Sequence, residues 1–216
     1  MTRSVHIFGP QFSSFVRSVQ LCCEEKGISY SLGLEVGGKE IGFKSEEHFA
    51  LHPFGKIPVL IDGDRVLCET ASICRYLDTE FDGPALQPEA PEQRALVDQW
   101  CALLSIYVDK ALVRDYLLEF AFPKGEGGTV RMDKVAEAQP AVLEALTLVA
   151  GQLDSKAYLM GNQLTLADLI IAPQLDYIAA LPHGAELIAP DSALAAYVER
   201  LSQRESGQKV LKATRK

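Results

Sequence analysis

"HPFGKIPVLIDG", residues 52–63, is the stretch on which the reading of this chain turns. Ile57, Val59, Leu60 and Ile61 are apolar enough for a buried strand, yet Pro58 stands inside the run. Proline carries no N–H for a sheet ladder, so it belongs at a strand start, an edge or a bend. Pro58 therefore either opens an edge strand or bends the chain so that a backbone group faces something other than the sheet. Just beyond, Asp62-Gly63-Asp64 is a hairpin signal that joins a strand at 59–61 to another at 66–68.

Working outward, 5–8 reads as a short strand and 14–26 as a helix with Val16, Val19, Leu21 and Cys23 apolar, stopped by Gly27. Residues 29–34 read as a second strand, and 36–56 as mostly loop with a helical turn near 45–50. After the hairpin, 70–81 is helical with Ile73 and Leu77 inward. "DGPALQPEAP" (82–91) then breaks the pattern with three prolines and reads as a linker. Beyond it the periodicity is helical: 92–121, 132–153, 165–180 and 191–203, interrupted by "PKGEGG" at 123–128, with Pro140 in or near a helix start. The expected organisation is a mixed α/β domain over 1–81 and an all-α domain over 92–216.

Composition excludes several classes of function. The chain has 216 residues, 48% apolar and 23% charged, as in a folded globular protein. Its 21 Lys+Arg against 29 Asp+Glu give a net charge of −8, which disfavours a nucleic-acid partner. No apolar run approaches the ~18 residues of a membrane span, and "MTRSVHIFGP" lacks a signal-peptide core. The expected location is cytoplasmic, with no membrane partner. Five cysteines, an odd number without C-x-x-C, argue against a disulfide framework or a dithiol motif; buried reduced thiols are expected. His48 and His52 are four apart but lack a third ligand, so no metal is expected.

The order of elements, together with "FGPQFSSFVRSVQLCCEEKG" (8–27), "KSEEHFALHPFGKIPVLIDGD" (44–64), "LCETASICRYL" (67–77) and "GNQLTLADLIIAP" (161–173), resembles the cytosolic glutathione S-transferases. The likeness is nearest to serine-type, phi-like members. It implies a thioredoxin-like N-terminal domain, an all-helical C-terminal domain and a homodimer. The co-substrate would be glutathione and the second substrate a small hydrophobic electrophile, as in detoxification. It also implies that Pro58 is cis and starts the third strand. Ile57 would then offer its N–H and C=O to the cysteinyl backbone of glutathione, which is received almost as an added strand.

Read as residues alone, Glu69-Thr70 at a helix start serve either as a simple cap or as a carboxylate site, since free N–H groups and the positive helix end attract anions. The resemblance gives Thr70, where the family usually has Ser, the γ-glutamyl carboxylate, and gives Glu69 the ammonium. It assigns Lys44 and Lys56 to the glycyl carboxylate. Phe43 stands where phi-like members often carry His, which removes one donor; His52 receives no role.

Ser13 aligns with the family's activating serine, with Ser14 beside it, and either can serve as a helix N-cap. A thiol of pKa ~8.5 is only a few per cent ionised at neutral pH. Lowering that by two units needs ~2.7 kcal/mol, close to the ~1.5–3 kcal/mol of one charged hydrogen bond. An electrophile pocket is expected between the halves, with Phe12, Tyr107, Tyr116 and Phe120 as candidates. Thr165 and Asp168 have capping-box spacing and a structural task. Rival readings are another glutathione-dependent enzyme (dehalogenase, isomerase or peroxidase), a non-catalytic binding protein, or a protein-interaction module.

Overall fold

The structure, a computed structural model, describes residues 3–211. These divide into two compact units, one of residues 3–88 with 202–211, the other Glu89–Leu201.

The first unit runs β1 (Ser4–Phe8), α1 (Ser14–Lys26), β2 (Ser29–Gly33), β3 (Glu35–Val36), β4 (Lys39–Glu40), α2 (Glu46–Leu51), β5 (Val59–Asp62), β6 (Arg65–Cys68) and α3 (Thr70–Glu80). Its main sheet has the order β2-β1-β5-β6, with β1 and β2 parallel and the other pairs antiparallel. This is the arrangement expected of a thioredoxin-like domain. The β1–α1–β2 crossover forms because α1 buries Val16, Val19, Cys22 and Cys23 completely. It ends cleanly at Gly27, whose φ of 67° closes a left-handed cap onto the Cys23 and Glu24 carbonyls. α3 buries Ile73 and Leu77 in the same way. The β5–β6 hairpin turns through Gly63 and Asp64, and its ladder runs from Asp62↔Arg65 to Val59↔Cys68.

Three features depart from the sequence reading. The segment read as loop contains the ribbon β3–β4, two residues a side across Gly37 and Gly38, both at positive φ. Residues 202–211, placed by sequence with the helices, pack on α1 through α10 (Glu205–Val210). Arg17, fully buried in α1, donates to the carbonyls of Val210 (3.0 Å) and Leu211 (3.0 Å), and Glu25 holds Arg204 and Ser206. Finally, the buried pair Lys26–Asp78 (3.1 Å) ties down the chain after α3: Lys26 donates to the Pro84 carbonyl and Asp78 accepts from the Leu86 amide.

The second unit is helical: α4 (Pro91–Leu103), α5 (Leu118–Ala121), α6 (Met132–Leu153), α7 (Leu166–Ala179), α8 (Gly184–Leu187) and most of α9 (Ala193–Gln203). Pro91 occupies the first turn of α4, where its missing N–H costs nothing. Between α4 and α5 the backbone widens to π-helical hydrogen bonding over Leu104–Val108 and Lys110–Leu117, where regular helix was expected. Ion pairs five residues apart, Asp109–Arg114 and Lys110–Asp115, accompany the wider turn. Pro140 lies inside α6, not at its start; its exposed position leaves the interrupted backbone bond to solvent. α7 is buried on nearly every side, and Asp168 anchors its start. That carboxylate accepts from the Thr165 amide (2.8 Å) and hydroxyl (2.9 Å), the Leu159 amide (2.8 Å) and the Tyr197 hydroxyl (2.6 Å).

Candidate active site

One row of the sheet, Gly33↔Phe8↔Val59↔Cys68, determines which loops meet. β1 and β5 are antiparallel, so the residues after Phe8 lie beside those before Val59. β5 and β6 are antiparallel too, so the residues before Val59 lie beside those after Cys68. Register alone therefore gathers the 9–13 loop, the Lys56–Ile57–Pro58 segment and the Glu69-Thr70 helix start at one end of the sheet.

Packing tightens this convergence. Ile57 joins Pro58 through a cis peptide bond, and β5 begins only at Val59. The Ile57 side chain packs with Phe8 and Val59. Gly9, at φ 149°, is the point of closest approach. A Cβ there would stand 2.5 Å from Val16 and 3.4 Å from Ile57, so only glycine lets α1 and the Ile57 segment close on the loop.

The two adjacent serines differ. Ser13 is the N-cap of α1, partly exposed, and its Oγ accepts from the Val16 amide at 3.4 Å. Ser14 is the first helical residue and is buried, 7% exposed. A cap uses a hydroxyl lone pair and leaves the O–H available as a donor. Ser13 can therefore cap and donate at once, beside the positive end of a 13-residue helix.

Glu69 and Thr70 sit at the start of α3. Glu69 has φ 68° and ψ 114°, a conformation non-glycine residues rarely hold, and its side chain is 79% exposed. It makes no side-chain cap, so simple capping does not explain it. Thr70 is buried at the first turn. Lys44 and Lys56 are both exposed, and Lys44 too is at positive φ, 60°.

Two histidines to which the sequence assigns no role make backbone contacts at this end of the sheet. His48 is fully buried, with the Lys44 amide 3.0 Å from Nδ1 and the Lys56 carbonyl 3.1 Å from Nε2. His52 accepts from the Phe54 amide at Nδ1 (3.1 Å), and its Nε2 stands 3.9 Å from the Glu69 carboxylate. Burial holds His52 below the ordinary histidine pKa, against the pull of Glu69. The visible signal was their i,i+4 spacing, although only His48 lies within α2 and His52 is its extended C-cap, with its amide bonded to the His48 carbonyl at 2.9 Å. Among the described residues no group of three or more His, Cys, Asp or Glu could hold a metal ion.

The aromatic candidates fall apart in kind. Phe12 and Tyr107 are largely exposed. Phe120 is partly buried against Tyr116 (5.4 Å between ring centroids) and His183 (5.1 Å). Tyr116 is 1% exposed with its hydroxyl 2.7 Å from His183 Nε2, so its surface is already covered within the second unit. The thiols of Cys22, Cys23, Cys74 and Cys101 are buried, as expected. Cys68 is only partly so, and its Sγ bonds the Leu51 carbonyl. No helix is long and apolar enough to cross a membrane among the described residues.

Comparison with known proteins agrees with this geometry. Residues 7–85 match the family "Glutathione S-transferase, N-terminal domain", and residues 132–200 match "Glutathione S-transferase, C-terminal domain". Glutathione S-transferase F10 of Arabidopsis thaliana is 30% identical over 206 residues, covering 94% of each chain. A theta class glutathione S-transferase of Xanthomonas axonopodis pv. citri, solved with glutathione bound, is 29% identical with a TM-score of 0.78, covering 99% of this chain and 100% of that one. Poplar glutathione transferase F1, at 24% identity and 97% coverage of both chains, shares the fold with a TM-score of 0.84. A thioredoxin-like unit with a helical partner, a relative aligned almost end to end, and both family domains in order make this chain a member of the glutathione S-transferase family.

Proposed function

We propose that the chain is a glutathione transferase in which Ser13 stabilises the glutathione thiolate for attack on small hydrophobic electrophiles. The observation that carries the proposal is the sheet row through Phe8, Val59 and Cys68, because it sets a partly exposed helix-cap serine, the Ile57 backbone and an exposed carboxylate at one end. In this reading the tripeptide's cysteinyl backbone pairs with Ile57 beside Pro58. Its γ-glutamyl ammonium meets Glu69, its γ-glutamyl carboxylate meets Thr70 and the start of α3, and its glycyl carboxylate meets Lys44 and Lys56.

The thiol loses its proton to solvent, and the Ser13 O–H donates to the resulting sulfur anion; no general base is required. With an aryl halide, the S–C bond forms and the carbon–halogen bond breaks, releasing halide. Phe12, Tyr107 and Phe120 are the proposed electrophile contacts, and Tyr116 packs against Phe120. In this account the N-terminal domain, in which residues 202–211 also pack, holds the peptide, and the helical domain follows the proline-bearing linker. Glutathione is the co-substrate, no metal takes part, and the protein acts in the cytoplasm as a homodimer.

The test is a panel of aryl halides, hydroperoxides, isothiocyanates and mixed disulfides with glutathione. Saturable, glutathione-dependent loss of aryl halide or isothiocyanate supports a transferase. Turnover confined to mixed disulfides would reassign the chemistry, and no turnover would leave a binding protein.

A further inference from the structure

The His48 side chain joins the backbones of the two lysines just assigned to the glycyl carboxylate. Its ring lies inside the first unit, against Phe8 (5.1 Å) and Phe43 (5.8 Å). Each nitrogen meets the backbone of one lysine. The Lys44 N–H can only donate, so Nδ1 must present its lone pair; the Lys56 carbonyl can only accept, so Nε2 must carry the hydrogen. The partners thus select a single neutral tautomer, with both ring nitrogens used.

The location of these bonds matters more than their number. Lys44 holds a left-handed conformation, which a lysine does not favour unless its surroundings impose it. The bond from its amide to Nδ1 is such a constraint, and α2 supports it from below: Ser45 caps the helix by accepting from the His48 amide at 3.2 Å. On the far side, Lys56 directly precedes the Ile57–Pro58 segment. One buried ring therefore links a strained loop to the segment that would receive the peptide. The two ammonium groups stand at the ends of long, exposed stems.

We infer that His48 is a positioning residue for the glycyl end of glutathione, setting the separation of Lys44 and Lys56 so that both reach one carboxylate. This rests on the glutathione reading above. It also explains how the site works with Phe43 where a donor was expected. The Phe43 ring offers no hydrogen bond, but it packs on His48 and walls the ring that places the lysines.

Three variants separate the two bonds. His48→Asn retains an acceptor near Nδ1 for the Lys44 amide. His48→Gln retains a donor near Nε2 for the Lys56 carbonyl. His48→Phe retains the ring and loses both bonds. The ligands are glutathione and γ-glutamylcysteine, which lacks the glycyl carboxylate. Each lost bond is expected to weaken glutathione roughly 3–10-fold, with Asn and Gln between the parent and Phe. γ-Glutamylcysteine affinity should stay at the parental value in all three, and with glutathione KM should rise while the bound thiol's pKa stays put. Equal losses for both ligands, in whichever variants fold, would overturn the inference and make His48 a general support of the fold. Unchanged glutathione affinity in the variants would overturn it too. A folded parent that binds neither ligand would instead defeat the glutathione reading itself, a result distinct from either.

Discussion

The Oγ of Ser13 lies 3.4 Å from the Val16 amide nitrogen and accepts its hydrogen. That long bond completes the N-cap of α1 with a lone pair and leaves the hydroxyl proton free to be offered outward. Ser14, one residue on, is inside the helix and buried. The alternatives that the sequence posed, a cap or a thiolate donor, are compatible roles of one atom.

Glu69 is exposed and strained, a combination that separates binding from stability. Glu69→Ala should weaken glutathione by ~1.5–3 kcal/mol, the scale of a lost charged hydrogen bond. Glu69→Gly should lose the same affinity yet melt higher than Glu69→Ala, because glycine accepts φ 68° without the ~1–3 kcal/mol strain of other residues. Calorimetric titration and thermal melts of the pair check this. Equal melting temperatures would show that the backbone there is not strained.

Asp168 receives four hydrogen bonds while fully buried, so its removal strands four donors. Asp168→Ala should cost about 3 kcal/mol or more, beyond the ~0.5–2 kcal/mol of an ordinary cap. Asp168→Asn should be nearly as harmful, since its NH2 would face donors. Chemical denaturation measures both; a loss under 1 kcal/mol, roughly the worth of one neutral hydrogen bond, would contradict the network.

Acid should loosen the first unit through two carboxylates. The Arg3 guanidinium, aided by the Tyr76 hydroxyl, holds Asp62 below its ordinary value. Burial pushes Glu25 up, but Arg204 and Ser206 outweigh it and hold that group low as well. A carboxyl whose folded pKa is depressed stabilises above its unfolded value, ~3.9 for Asp and ~4.3 for Glu, and that stability is lost as pH falls through the folded value. Melting temperature should therefore drop as pH falls below about 4, and Asp62→Asn should flatten the drop. An identical slope in the variant would remove Asp62 from the account.

Long periodic elements were legible before the structure. α1 and α3 announced themselves through Val16, Val19, Ile73 and Leu77, and Asp62-Gly63-Asp64 marked its hairpin. The β3–β4 ribbon was not, because two-residue strands carry no period. Nor was the π-helical widening at Leu104–Leu117, whose apolar spacing resembles ordinary helix. Pro140 misled because a proline on an exposed helical face costs little of the core. Within the site, Ser13, Pro58 and Glu69 belong to local words, whereas His48 and His52 act through backbone partners that only the folded chain brings near.

The central claim is that Ser13 lowers the pKa of the bound thiol, and thiolate absorbance of the glutathione complex, followed against pH, tests it most directly. Ser13→Ala should bind glutathione almost as the parent does, since Ile57, Glu69, Thr70 and the lysines remain. Its bound thiol should titrate one to two units higher, the equivalent of ~1.4–2.7 kcal/mol. Turnover near neutral pH should fall ~10–100-fold and recover in part as pH rises, because the thiolate then forms without help. Ser14→Ala should titrate like the parent. A large shift in Ser14→Ala with none in Ser13→Ala would move the role by one residue, and identical titrations in all three proteins would contradict the serine-type mechanism outright.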